Sequence, residues 1–325
     1  MQLSGVLLPA FLTAVTFAQV VLSDDSVTLP KFKSSTEYFD QSDPNVKPSD
    51  VNYGDNFGLK SNYSWADVLK QLDEHHKLFL LVRHAQGVHQ CNTPSTDWTC
   101  YWQTIDGYDG QVWADALLTP EGISECQQLS QQINKTKDFP FPDHHYSSPL
   151  RRTLQTWEHV WKDLVKDVPT LKEFARETYG IQTESKRHSK SYIKENWDYV
   201  NFEAGFTEDD ELWSNSTRET GKHRKYRAAS VLSDIFEVHK NDKVIGLVSH
   251  SGLIGSILDV VGHRDYPVDN AKLLPVIIQK KKHKTKTYKL DDPDKTFEDI
   301  CPDKPSQITE GPELTCSAAP FDERA

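Results

Sequence analysis

The run "LLVRHAQGVHQCN", residues 80–92, passes without a break from apolar to chemically reactive side chains. Leu80, Leu81 and Val82 close an apolar stretch that begins at Lys77 and reads as a buried strand. Arg83 and His84 follow at once. Such a strand has either reached the surface or is presenting both residues at a site, and the rest of the chain decides. A second short strand is expected over Asp143 to Ser147, a third over Val244 to Ser249 and a late one over Leu273 to Gln279. Helical spacing lies between them. Thr119-Pro120 suits a helix start, and Ile123, Cys126, Leu129 and Ile133 continue it. Leu154, Trp157, Trp161 and Leu164 form an apolar stripe, as do Ala228, Leu232, Ile235 and Phe236, and Leu253 to Val261 reads as a further helix. The alternation predicts an α/β fold, a three-layer α/β/α sandwich around a mostly parallel central sheet.

In open sheets of this kind, sites form beyond the carboxyl ends of the strands. Here those ends deliver Arg83-His84, then Ser147 to Arg152, then Ser249-His250-Ser251-Gly252. Two histidines and two arginines from separate strand ends would form one positive pocket. The surrounding chain is acidic, with 37 Lys+Arg against 48 Asp+Glu, a net charge of -11. That balance argues against nucleic acid or an anionic membrane as partner. Local positive charge instead suits a phosphoryl group, which guanidinium forks grip bidentately. A helix beginning near Gly252 would add unpaired N–H groups. A neutral imidazole nitrogen in line with phosphorus can act as nucleophile, and a carboxylic acid can protonate the leaving oxygen. No Asp/Glu/His cluster has metal-ligand spacing, and Asp291, Asp292 and Asp294 read as solvated, so neither metal nor cofactor is expected.

The 325 residues, 37% hydrophobic with 8 Trp, suffice for a packed core. The first 23 residues carry no charge, and Val6 to Phe17 is too short for a comfortable membrane span of about 20 residues. Residues 1–18 are therefore read as a secretory signal peptide, with a signal anchor as the alternative. Asn62, Asn134 and Asn215 each head an N-x-S/T glycosylation acceptor. In an oxidising compartment the local bridges Cys91–Cys100 and Cys301–Cys316 are expected, leaving Cys126 over; a cytosolic protein would keep all five thiols reduced. An extended N-terminal arm is expected over 19–64, the catalytic domain over 65–290 and a surface-packed tail over 291–325. The run Lys280 to Lys286 reads as a solvated strand end or turn. Together these features predict a secreted, extracellular glycoprotein with no membrane attachment once the signal is removed. The sequence does not reveal its oligomeric state.

Three segments carry a resemblance. Arg83-His84-Ala-Gln, Ser148-Pro-Leu-Arg-Arg152-Thr-Leu-Gln-Thr156 and Val248-Ser-His250-Ser-Gly resemble the signatures of the histidine phosphatase superfamily, in its phosphoglycerate-mutase-like branch. Asp115-Ala-Leu-Leu-Thr119-Pro-Glu-Gly122 resembles that branch's helix entry, and Arg176 to Arg187 resembles a phosphomutase-like subgroup common in fungi and plants. The resemblance implies His84 as phosphorylated nucleophile, Arg83 and Arg152 as phosphate ligands, His250 as second histidine and Glu177 as proton donor. Glu173, Glu184 and Glu203 compete with Glu177. Gln86, Gly87 and Ser251 are further expected phosphate ligands, and His89, Lys186 and Arg187 are candidate substrate contacts. Two positions depart from the pattern: Ala85 stands for the usual Gly, and Gln90 stands where family members commonly have Asn, with Asn92 two residues on. The sister branch of acid phosphatases and phytases has a second Arg and a Pro in its first motif and an acid after the second His, all absent here. The resemblance implies a metal-independent phosphatase acting on a small phosphorylated substrate through a phosphohistidine. The alternatives are a phosphomutase, or a catalytically silent binding protein on the same fold.

Overall fold

The computed structural model describes residues 26–54, 56–92, 95–290, 294–303 and 311–321, so the expected signal peptide lies outside the described residues. Seven strands form the central sheet: β1 (Ser26–Ser34), β2 (His76–Arg83), β3 (His144–Ser147), β4 (Thr170–Leu171), β5 (Asn201–Phe202), β6 (Val244–Ser249) and β7 (Leu273–Lys289). Their spatial order is β1-β7-β2-β6-β3-β4-β5. β2, β6, β3, β4 and β5 pair in parallel, whereas β7 runs antiparallel to both its neighbours.

β2 shows why the sheet sits at the centre. Its residues from Lys77 to Val82 are all buried, and side chains of a strand alternate between faces. Leu78, Leu80 and Val82 share a core with Cys126 and Leu129 of α1 (Pro120–Lys135) and with Trp157 and Trp161 of α2 (Arg151–Trp161). Phe79 and Leu81 share the other core with Leu232 and Ile235 of α3 (Gly221–Val238) and with Leu253 and Ile257 of α4 (Ser251–Val260). A strand covered on both faces needs no polar alternation, which is why this run is continuously apolar. Each such side chain contributes roughly 1.5–3 kcal/mol when fully buried. The Thr119 hydroxyl caps α1 by accepting from the Gly122 N–H at 3.0 Å, with proline at the start of the helix.

Two expectations are corrected and one is met. The N-terminal arm is partly sheet: residues 26–34 form β1 against β7, and Phe39 and Phe57 are buried in the α1/α2 core. The lysine-rich run after Gln279 is the solvated strand end expected, continuing β7 to Lys289 with residues 282–286 exposed and pairing with β1 alone. The cystines also cross between segments, joining Cys91 to Cys316 and Cys100 to Cys301, with Cα–Cα distances of 5.4 and 5.7 Å. Residues 311–321 run beside the loop that follows β2, where Asn92 bridges Leu314 and the Thr315 N–H donates to the Cys91 carbonyl at 2.9 Å. The helix Thr96–Cys100 meanwhile separates Cys91 from Cys100 along the chain. Cys126 is the free, buried cysteine, its thiol pushed up to about 12 by burial. No helix among the described residues is long and apolar enough to cross a membrane.

Candidate active site

Parallel pairing lines up three strand ends. Arg83 of β2 stands opposite Ser249 of β6, and Ser147 of β3 stands opposite Val248. The ladder runs one bond further: the His84 N–H donates to the Ser249 carbonyl at 2.9 Å, and the Ser148 N–H donates to the Val248 carbonyl at 3.0 Å. His84, Ser148 and His250 are thus fixed by sheet backbone rather than by loops.

His84 is 3% exposed, and its Nδ1 lies 2.8 Å from the Ala85 carbonyl oxygen. Only an Nδ1–H can make that bond, so Nε2 keeps its lone pair. Burial, then the charge of Arg152, holds the imidazole well below its ordinary pKa. Ala85 is itself pinned, its N–H donating to Thr156 Oγ1 at 3.0 Å. The ring centroid of His250 is 5.1 Å from that of His84, and that of His89 is 5.5 Å away. His250 Nε2 meets Ser148 Oγ at 2.8 Å, and its Nδ1 is buried without a partner. Arg83 Nη1 donates to the Val268 carbonyl at 2.9 Å, and Arg152 Nη1 donates to the Glu184 carbonyl at 2.6 Å. The Nε of each arginine is buried and unpartnered. Buried donors without acceptors are costly, about 1–3 kcal/mol each. Their clustering around a neutral imidazole marks a slot shaped for a multiply charged anion.

Glu177 forms the acidic wall. Its carboxylate accepts from the Thr178 N–H at 2.9 Å and the Gly252 N–H at 3.1 Å, and Ser251 Oγ lies 3.4 Å away. Burial alone would raise its pKa. The two N–H donors and the charges of Arg224 and Arg152 outweigh burial and hold it low. Gly252 is required by this approach, since a Cβ there would lie 2.1 Å from Glu177 Oε1. The Arg227 guanidinium fixes the backbone around the acid, donating to the carbonyls of Phe174, Arg176 and Glu177 at 2.9, 2.9 and 3.1 Å. Arg227 is in turn paired with Glu219, and both side chains are fully buried. A second buried pair, Arg176 with Asp210, has contacts of 2.7 and 2.6 Å and ties down the next loop.

Several expected roles move. The Gly252 N–H and the Ser251 hydroxyl face Glu177, so the start of α4 holds the acid. The Gln86 side-chain oxygen accepts from Thr119 Oγ1 at 2.7 Å, and its backbone N–H donates to Glu125 at 2.8 Å. The Gly87 N–H donates to Gln90 Oε1 at 3.0 Å. Both residues thus have their backbone N–H engaged within the protein. Arg187 is not a substrate contact: Glu173 and the backbone from Thr207 to Asp209, with the His188 carbonyl, engage all its N–H groups. Lys186 is exposed, its ammonium 5.0 Å from the Trp213 ring. Among the competing acids, Glu173 is paired with Arg187 and Glu203 with Lys172. Glu184 is buried beside Arg152 with its Oε2 unpartnered, and burial raises its pKa. Sequence reasoning missed Arg227 as the residue that positions Glu177. Its signal was a charged residue next to Ala228 on the apolar stripe of α3. Among the described residues no group of three or more His, Cys, Asp or Glu could hold a metal ion.

A neutral imidazole beside one buried and one half-buried guanidinium, at the carboxyl edge of a parallel sheet, defines a site of the phosphoryl-transfer class. A model of the Histidine phosphatase superfamily (branch 1) matches residues 79–290, and the chain belongs to that superfamily. It is 49% identical over 287 residues to "Phosphomutase-like protein 3" of Candida albicans, covering 87% of this chain and 91% of the relative. It is 30% identical over 313 residues to "Probable phosphoglycerate mutase" of Arthroderma benhamiae, covering 85% and 93%. Among solved structures, phosphoglycerate mutase from Bacillus anthracis aligns with a TM-score of 0.42 at 15% identity, covering 64% of this chain and 90% of that one.

Proposed function

We propose that the protein is a secreted, metal-independent phosphatase that hydrolyses phosphomonoesters through a phosphohistidine at His84. The observation that carries this reading is the tautomer of His84. With Nδ1–H held by the Ala85 carbonyl, the bare Nε2 is the nucleophile. Arg83, Arg152 and His250 surround the phosphoryl oxygens and stabilise their charge. In the first step the Nε2–P bond forms, the P–O bond to the alcohol breaks, and protonated Glu177 gives its proton to the leaving oxygen. In the second, Glu177 takes a proton from water, the hydroxide oxygen bonds to phosphorus, the P–N bond breaks and inorganic phosphate leaves.

Glu177 is ionised in the free protein at neutral pH, because its pKa is held low. A phosphoryl dianion entering beside it favours the protonated form. Turnover of alkyl phosphates should therefore fall as pH rises from about 5 to 8, whereas p-nitrophenyl phosphate, whose leaving group hardly needs a proton, should show a flatter profile. His84 stays neutral well below its ordinary pKa, so the nucleophile survives into acid.

Secretion is supported by the uncharged N-terminus, by two cystines and by the exposure of Asn62, Asn134 and Asn215. A gel shift of protein from culture medium on treatment with an N-glycosidase tests it. For activity, the purified protein should hydrolyse p-nitrophenyl phosphate with undiminished rate in EDTA, and absence of turnover between about pH 4 and 8 would count against it. The names of the two relatives favour a mutase as the second reading. Single turnover in the presence of acceptor alcohols separates the two: a phosphatase releases inorganic phosphate, a mutase makes a new ester.

A further inference from the structure

His89 lies beside the nucleophile, and the two steps above give it no task. Its ring centroid is 5.5 Å from that of His84. Its Nδ1 is buried with no hydrogen-bond partner. That edge of the ring packs on Gly87, where a Cβ would come within 2.8 Å of both Nδ1 and Cε1. Glycine at this position is what lets the imidazole fold in. Burial, then the charges of Arg152, His84 and Arg83, hold the ring far below its ordinary pKa, so it carries one proton. Nδ1 lacks a partner in either tautomer, whereas a proton on Nε2 can still be given to a group outside the protein. The proton therefore sits on Nε2, and no protein acceptor among the described residues takes it.

The neighbouring amide does not supply such a donor. Gln90 Oε1 accepts from the Gly87 N–H at 3.0 Å and from Asn270 Nδ2 at 3.2 Å, and Gln90 Nε2 donates to Asn270 Oδ1 at 3.2 Å. Gln90 is thus a strut between the loop after β2 and residue 270, whereas the His89 ring lies beside that of His84.

We propose that His89, through its Nε2–H, donates a hydrogen bond to a phosphoryl oxygen of the substrate and is a catalytic residue of this site. This rests on the phosphatase reading and deepens it. A neutral donor suits the place. It stabilises the oxygens as charge spreads over them in the transition state, and it adds no further cation to suppress the lone pair of His84.

A glutamine side chain can set its Nε2 near that of a histidine, whereas phenylalanine keeps the ring's bulk without a donor. His89→Gln should stay within about 5-fold of wild-type kcat/KM, and His89→Phe should fall by roughly 10- to 100-fold, the worth of one hydrogen bond to a charged group. The loss should be the same factor across the pH profile, because His89 does not titrate there. His89→Leu repeats the comparison if His89→Phe does not fold, as judged by thermal melting. The same proteins are titrated with orthovanadate, so the donor is tested even if no turnover occurs: wild type and His89→Gln should bind comparably, and His89→Phe more weakly by the same factor. Folded His89→Phe within threefold of wild type in both assays would overturn the proposal, and so would His89→Gln falling as far as His89→Phe. Absence of wild-type turnover with the vanadate pattern intact would instead count against the phosphatase reading alone.

Discussion

The two walls of the site are built by different means. On one side, the carboxyl edge of the sheet carries Arg83, His84 and His250, placed by parallel ladder bonds and covered by two apolar cores. On the other, the segment from Lys172 to Glu219 carries Glu177 with short strands and short helices. What it has instead is buried charge: Arg227 with Glu219, Arg176 with Asp210, and Arg187 with Glu173. A sheet edge places a nucleophile rigidly, whereas an irregular wall needs buried ion pairs to aim one acid. Breaking a buried pair costs far more than the pair contributes, because the surviving charge is left uncompensated. The acid should therefore be the fragile half of the machinery.

The largest effect falls on the sheet side. His84→Asn removes the nucleophile while the backbone bonds persist, so activity should drop by roughly 10^4-fold or more with little change in melting temperature. Glu177→Gln keeps the size of the side chain and one of its two N–H partners but cannot give a proton. It should slow alkyl phosphates by about 100- to 1000-fold and p-nitrophenyl phosphate only a few-fold; equal losses on both would point to another acid, with the unpartnered Glu184 first in line. Gly252→Ala places a methyl where Glu177 Oε1 now sits. By displacing the acid it should cost roughly 10- to 100-fold on alkyl phosphates while phosphohistidine still forms from p-nitrophenyl phosphate.

Arg227→Met has the smallest direct effect on chemistry and tests the wall itself. Left without its partner, buried Glu219 should destabilise the protein by about 3–5 kcal/mol, read by urea denaturation. The pH dependence follows in sign. Burial would raise Glu219, but the charge and hydrogen bonds of Arg227 and the hydrogen bond of His223 hold it below its ordinary value. Burial likewise opposes Asp210, which Arg176 holds low. Carboxyls lowered on folding add stability above their unfolded pKa values and lose it as pH falls through the lowered ones. Wild-type stability should thus decline below about pH 4, and Arg227→Met should have lost the Glu219 part of that dependence.

The same contrast explains what the sequence made legible. Strand ends are local: an apolar run closing on Arg83-His84 or Ser249-His250 places its side chains by geometry alone, and the sheet bears this out. The irregular wall is not local. Nothing in the string distinguishes Arg187, whose N–H groups are all engaged by protein, from Lys186, which is exposed. Cystine pairing failed for a related reason, since only the return of the C-terminal segment brings Cys316 to Cys91. β1 went unseen because it is an edge strand, half exposed, with Lys31 and Lys33 outward and a register shift between Pro30 and Phe32. An edge strand tolerates Pro at a bulge and lysines facing solvent, which erases the alternating pattern.

The central claim is that His84 Nε2 carries the phosphoryl group between the two steps. Rapid quenching of the Gly252→Ala protein in base after mixing with p-nitrophenyl phosphate, followed by mass spectrometry of its peptides, tests this most directly. The account predicts an acid-labile, base-stable phosphate on the peptide containing His84, lost in His84→Asn. A phosphopeptide at another residue, or phosphate release during turnover with His84 never modified, would contradict it.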